Sequence, residues 1–187
     1  YYAVTRASEK YQHDWIEQNC TSSTKVLDFA CGNGENGILA AQQGSEVNGI
    51  DISPEGIDNA IKNAEALNVS SKCSFEVMDG ENMTYQDNTF DIAVEYGALH
   101  HVDLPVTLKE LARVLKPGGK MVCVEAMRHN PIIHLYRKIT PHLRTEWEVE
   151  HILGVESFDE MYKYFDTVNV KYFHLLSLFL VPFRKMF

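Results

Sequence analysis

The sequence predicts an α/β fold, a doubly wound and mostly parallel sheet with helices on both faces. Three observations carry that prediction. Between residues 25 and 126, short β-branched and apolar runs alternate with segments whose apolar residues recur at helical spacing, giving five β-α alternations. The first run breaks into glycines at Gly32, Gly34 and Gly37, as a buried strand does on entering a tight turn and a helix N-terminus. Acids follow the strands at Asp28, Asp51 and Asp79, on the edge where open α/β sheets bind ligands.

A helix opens the chain over residues 8–19, because Tyr11, Trp15 and Ile16 share one face. Residues 25–30 are the first strand, 35–43 a helix, and 46–52 a second strand holding Asp51. Ser53-Pro54-Glu55 starts the next helix: the hydroxyl caps free N–H groups, proline suits the first turn and the acid meets the dipole. That helix runs to about Leu67, with Ile57, Ala60, Ile61, Ala64 and Leu67 toward the sheet. A third strand follows at 74–78 and a fourth at 90–96. Asp103-Leu104-Pro105 opens a helix carrying Leu108, Leu111, Ala112 and Leu115, which Pro117-Gly118-Gly119 ends. Residues 120–126 are a fifth strand and 167–173 a sixth. Right-handed crossovers leave few arrangements other than the doubly wound one.

With 187 residues and 45% hydrophobic content, the chain has material for one core, so a single domain over 1–187 is expected. Within it, 1–24 form an N-terminal helical cap. The stretch 127–156 breaks the alternation with His, Arg and aromatic residues, and is expected to be a lid inserted over the substrate. A net charge of −9 opposes nucleic acid as a partner, since polyanion contacts need clustered Lys and Arg. A small molecule is the expected partner, and oligomeric state stays open. Four widely spaced cysteines without a C-x-x-C pair read as reduced, buried thiols. No signal-peptide pattern is visible, and no apolar run nears the ~18 residues of a membrane span. The stretch 173–183 is apolar but short and broken by Pro182, and reads as the sixth strand running into a seventh. A cytoplasmic location without membrane contact is expected.

The chemistry concentrates in the turn after the first strand, Val26-Leu27-Asp28-Phe29-Ala30-Cys31-Gly32-Asn33-Gly34. The glycines alone are ambiguous, because Gly32-x-Gly34-x-x-Gly37 with Asp51 also satisfies the dinucleotide fingerprint. Asp28 stands where a pyrophosphate binder usually has an apolar residue, and a carboxylate there suits a cation or an amine. Glu76 to Asn82 adds acids and an amide after the third strand, suited to an adenine amine. Then come Phe90-Asp91-Ile92-Ala93-Val94-Glu95-Tyr96, Leu99-His100-His101-Val102, and Leu111-Ala112-Arg113-Val114-Leu115-Lys116-Pro117-Gly118-Gly119.

In order and spacing, this set over residues 25–126 resembles the class I S-adenosylmethionine (SAM)-dependent methyltransferases, in particular their small-molecule branch. The resemblance implies a Rossmann-like sheet and SAM as cofactor, with S-adenosylhomocysteine as product. It assigns Asp28, Ala30, Gly32 and Gly34 to the methionine part, Asp51 with Ile52 to the ribose side, and Asp79 with Gly80 and Glu81 to the adenine. Glu95 would line the pocket past the fourth strand. Ala30 departs from the family, which more often has glycine. Asp28 has a second reading, capping backbone amides at the strand end, that is compatible with the first.

Methyl transfer from a sulfonium needs positioning more than side-chain chemistry. A base is needed only where the acceptor loses a proton, and His100 and His101, in the loop after the fourth strand, are the candidates. Packing and helix capping are the competing roles for the two histidines. Arg128, His129 and Tyr136 are candidates for holding the substrate. His129, His134, His142 and His151 match no zinc spacing, so no metal is expected. A NAD(P)-dependent oxidoreductase on the same framework, and a non-catalytic SAM-binding protein, remain as alternatives.

Overall fold

The computed structural model describes residues 2–128 and 151–173. Helix α1 (Tyr2–Asn19) starts a turn and a half earlier than expected. Then follow β1 (Lys25–Phe29), α2 (Glu35–Gln42), β2 (Glu46–Asp51), α3 (Pro54–Ala66), β3 (Cys73–Val77), β4 (Phe90–Tyr96), α4 (Leu104–Val114) and β5 (Leu115–Val124). A short helix α5 (Glu156–Met161) lies beyond the segment 129–150, which is outside the described residues.

The five strands form one parallel sheet in the order β3-β2-β1-β4-β5. Succession reverses between β1 and β4, so the chain leaves these two strands in opposite directions and opens a crevice at their carboxyl ends. Four successive residues of β1, from Val26 to Phe29, are buried, as a central strand covered on both faces requires.

Alternation along the strands separates the two layers. Leu27, Phe29 and Ala93 pack with Leu108, Leu111 and Val114 of α4 and Met161 of α5. Val26, Val47, Ile92, Val94 and Val122 face Ile16 of α1 and Ala40 and Ala41 of α2. A third cluster joins Ile38, Ile57, Ala60 and Ala64 to Phe75 of β3. The caps are those the sequence implies: Ser53 Oγ accepts from the Gly56 N–H and Asp103 Oδ1 from the Val106 N–H.

Three expectations are corrected. Residues 167–173 form no strand, and the sheet has five strands among the described residues. Val170 and Tyr172 alternate as strand residues do, yet both are exposed, so no core face draws the segment into the sheet. It lies against α1 instead, with Phe173 beside the Tyr11 ring and Lys171 Nζ 4.2 Å from that ring's centroid. The seventh strand falls on residues beyond 173, outside the described ones. Strand β5 also begins earlier than residue 120. Leu115 pairs with Phe90, the Pro117-Gly118-Gly119 turn interrupts, and pairing resumes at Lys120 opposite Ile92. Cys20 and Cys31 are buried, Cys73 is half-buried and Cys123 is exposed, so burial does not extend to all four thiols.

Candidate active site

The turn between β1 and α2 is built around a carboxylate. Asp28 is 2% exposed, and its Oδ2 accepts from the Gly37 N–H at 2.8 Å in the first turns of α2. A Cβ at Gly37 would lie 2.7 Å from that same oxygen, so the third glycine of the turn is required by Asp28. Burial pushes the Asp28 carboxyl up to about 7, with the Asp51 and Glu35 carboxylates adding to the rise and the Gly37 N–H opposing it.

Asp51, at the end of β2, caps the turn from the other side. Its Oδ2 accepts from the Gly32 N–H and its Oδ1 from the Ser53 N–H, both at 2.8 Å. The amides of Gly32 and Gly37 are therefore already bound to carboxylates of the chain. Gly32 and Gly34 have φ of 50° and 80°, and space is open over Gly32, where an added Cβ would meet nothing within 4 Å. Ala30 adopts φ of 51°, the left-handed region that disfavours a side chain. Ile52, next to Asp51, is 79% exposed and offers an apolar face at the rim.

Past β3, Asp79 is exposed and its Oδ1 accepts from the Glu81 N–H, while Glu81 Oε1 accepts from the Asp103 N–H at the start of α4. Gly80 packs: a Cβ there would enter the Phe29 ring. The loop after β3 is held from behind by Arg113, which donates to the carbonyls of Met83 and Tyr85 and to Asp87 and Glu110.

At the end of β4, Glu95 is fully buried and accepts from the Ala98 N–H through Oε1. Burial and the adjacent Glu125 carboxylate hold it well above the usual carboxylate range. His100 and His101 follow in a short 3₁₀ turn with ring centroids 4.0 Å apart. Of the residues expected on the substrate side, Arg128 is exposed and pairs with Glu156, whereas His129 and Tyr136 lie outside the described residues.

Residues 20–166 match the methyltransferase domain family. The chain belongs to that family. It is similar to sterol 4-C-methyltransferase of Caenorhabditis elegans, 29% identical over 79% of this chain and 44% of that protein. The ubiquinone/menaquinone biosynthesis C-methyltransferase of Rickettsia prowazekii is 33% identical over 62% of this chain and 49% of its own. The chain thus spans about half the length of these curated relatives. Geranyl diphosphate C-methyltransferase of Streptomyces coelicolor, solved with Mg2+, geranyl diphosphate and S-adenosyl-L-homocysteine, shares the fold. Its TM-score is 0.69 at 19% identity, covering 83% of this chain and 60% of that one.

Two residues of this methyltransferase domain escaped the sequence reading. Glu125, one residue past β5, takes the Leu99 N–H on Oε1 at 2.5 Å and meets His100 Nδ1 with Oε2 at 2.8 Å. An acid already marked the ends of the other four strands, and the same rule finds this one. Gln12 of α1 is fully buried and donates from Nε2 to the Glu95 carbonyl at 2.6 Å. Its position four residues before Ile16, on the apolar face of the helix, is the available signal.

Proposed function

We propose that this chain is a SAM-dependent methyltransferase that methylates an O, N or C nucleophile of a small molecule in the cytoplasm. The observation that carries the reading is the state of the glycine turn. Its Gly32 N–H is taken by Asp51 and its Gly34 N–H by the Cys31 carbonyl, so the two glycines nearest a pyrophosphate offer no free N–H, and Asp51 sets a carboxylate at the turn. Such a site favours a cation over a polyanion. Open space over Gly32 and the exposed Ile52 beside Asp51 fit an adenosine-linked sulfonium. The methyltransferase names of the relatives support the reading, and a NAD(P)-dependent oxidoreductase is not favoured.

When bound, SAM supplies an activated methyl group on a sulfonium. Asp28, Ala30, Gly32 and Gly34 would hold its amino-acid end, Asp51 and Ile52 the ribose side, and Asp79, Gly80 and Glu81 the adenine, with Glu95 beneath the pocket. The buried Asp28 acts through the turn it fixes and through its charge. His100 or His101 takes the acceptor's proton on a ring nitrogen where one must leave. Arg128, His129 and Tyr136 belong to the acceptor side. Four free cysteines are in keeping with a reducing compartment, and the net charge of −9 with a small-molecule rather than nucleic-acid partner.

Calorimetric titration of the chain with SAM, S-adenosylhomocysteine, NAD and NADP tests the reading. Saturable binding of the first two and none of the last two is expected. Binding of a nicotinamide cofactor in place of SAM would overturn it.

A further inference from the structure

The residues below His100 form a polar cluster for which methyl transfer itself has no evident use. Glu95 and Glu125 grip consecutive amides of one turn, Glu95 Oε1 taking the Ala98 N–H and Glu125 Oε1 the Leu99 N–H. Both side chains are withdrawn from solvent: Glu95 is fully buried and Glu125 is 6% exposed. The second oxygen of Glu125 meets His100 Nδ1, but the second oxygen of Glu95 is buried without a donor. An ionised carboxylate oxygen in that position is costly, whereas a protonated one becomes a donor to the adjacent acid.

We propose that Glu95 and Glu125 share a single proton, carried on Glu95, and that this pair fixes His100 with Nδ1 protonated and Nε2 open as the proton acceptor. The proposal deepens the reading of His100 as base and rests on it. The groups around the pair are consistent with one proton. Cys123 of β5 lies opposite Glu95 in register, Gln12 of α1 bonds the Glu95 carbonyl, and His100 is 17% exposed. Apart from His100, no cation among these groups compensates two negative charges, so ionising both acids would leave like charges buried side by side. With Glu95 neutral, Glu125 keeps its charge and accepts the Nδ1–H of His100. That bond selects the tautomer whose lone pair is on Nε2. Glu125 is thus a positioning residue, and Glu95 keeps its charge state singular.

The test uses the whole chain and needs no acceptor. Infrared difference spectra at pH 9, above the value of about 7 to which Asp28 is pushed, should show a protonated-carboxyl band that is lost in Glu95→Gln, and histidine ¹⁵N spectra should show His100 as the Nδ1–H tautomer. Glu95→Gln imitates the neutral acid and should leave that tautomer unchanged, while Glu125→Gln should shift it toward Nε2–H. A merely structural role for Glu125 would not move the tautomer. Absence of the band in the unaltered chain overturns the proposal even if a variant fails to fold. So does a band lost only in Glu125→Gln, or a His100 tautomer indifferent to Glu125→Gln. SAM titration of the same samples separates the outcomes: loss of SAM binding in the unaltered chain strikes the functional reading and leaves the carboxyl pair measured.

Discussion

Replacing Asp28 by asparagine isolates the energetic consequence of burying an acid at the heart of the turn. In the folded chain the Asp28 carboxyl is pushed up to about 7 from an ordinary 3.8. Between those two values the folded state holds a proton that the unfolded state has lost, so stability falls as pH rises through the window. The gap, at about 1.36 kcal/mol per unit, corresponds to about 4 kcal/mol above pH 7, of which about 2–3 kcal/mol accrues between pH 5 and pH 8. The amide oxygen of the introduced side chain would keep the Gly37 N–H, while its NH2 group would lack an acceptor, at about 1–3 kcal/mol. Asp28→Asn should therefore stabilise the ligand-free chain by about 1–3 kcal/mol at pH 8 and abolish about 2–3 kcal/mol of its pH dependence. Urea unfolding of both proteins at the two pH values measures this directly. A variant whose stability parallels the parent across pH, or falls below it at pH 8, would refute the reasoning. The same substitution should weaken SAM, which loses a carboxylate counter-charge.

The left-handed φ of 51° at Ala30 predicts that Ala30→Gly raises stability by about 0.5–1 kcal/mol, the relief of side-chain strain less the entropy of glycine, read as a melting shift of about 1–4 °C. Gly80→Ala should destabilise by about 1–3 kcal/mol, because the new methyl meets the buried Phe29 ring, and a melting point equal to that of the parent would contradict the packing role. Arg113→Ala should cost about 2–3 kcal/mol and speed amide exchange in residues 81–89, and Arg113→Lys should recover only part of it, since lysine lacks the forked donors that reach two carbonyls and two acids.

The turn, its flanking strand and the capped helices were readable in the sequence because their determinants are local. Gly32, Gly34, Asp51 and Ser53 act on neighbours within one turn or across one strand pair. The sixth strand failed because alternation in Val168, Val170 and Tyr172 describes a side-chain pattern and not a core face to receive it, and Val170 and Tyr172 are exposed. Gly80 carried a ligand-side expectation, and its tight constraint comes from Phe29, 51 positions earlier in the chain. Glu125 and Gln12 were missed for a similar reason: their partners, His100 and Glu95, are 25 and 83 residues away, and pairing at that range follows from strand order.

Because Asp51, Asp79 and Glu125 stand at or just past the ends of β2, β3 and β5, negative potential accumulates along one edge of the molecule, with Asp51 nearest the glycine turn. A charged methyl donor entering there relieves the repulsion, and its demethylated thioether product, having lost the sulfonium charge, relieves less of it. On the proposed reaction, each turnover discharges the electrostatic grip that admitted the donor. Heat tolerance of the chain would then depend on the ratio of fresh to spent cofactor around it.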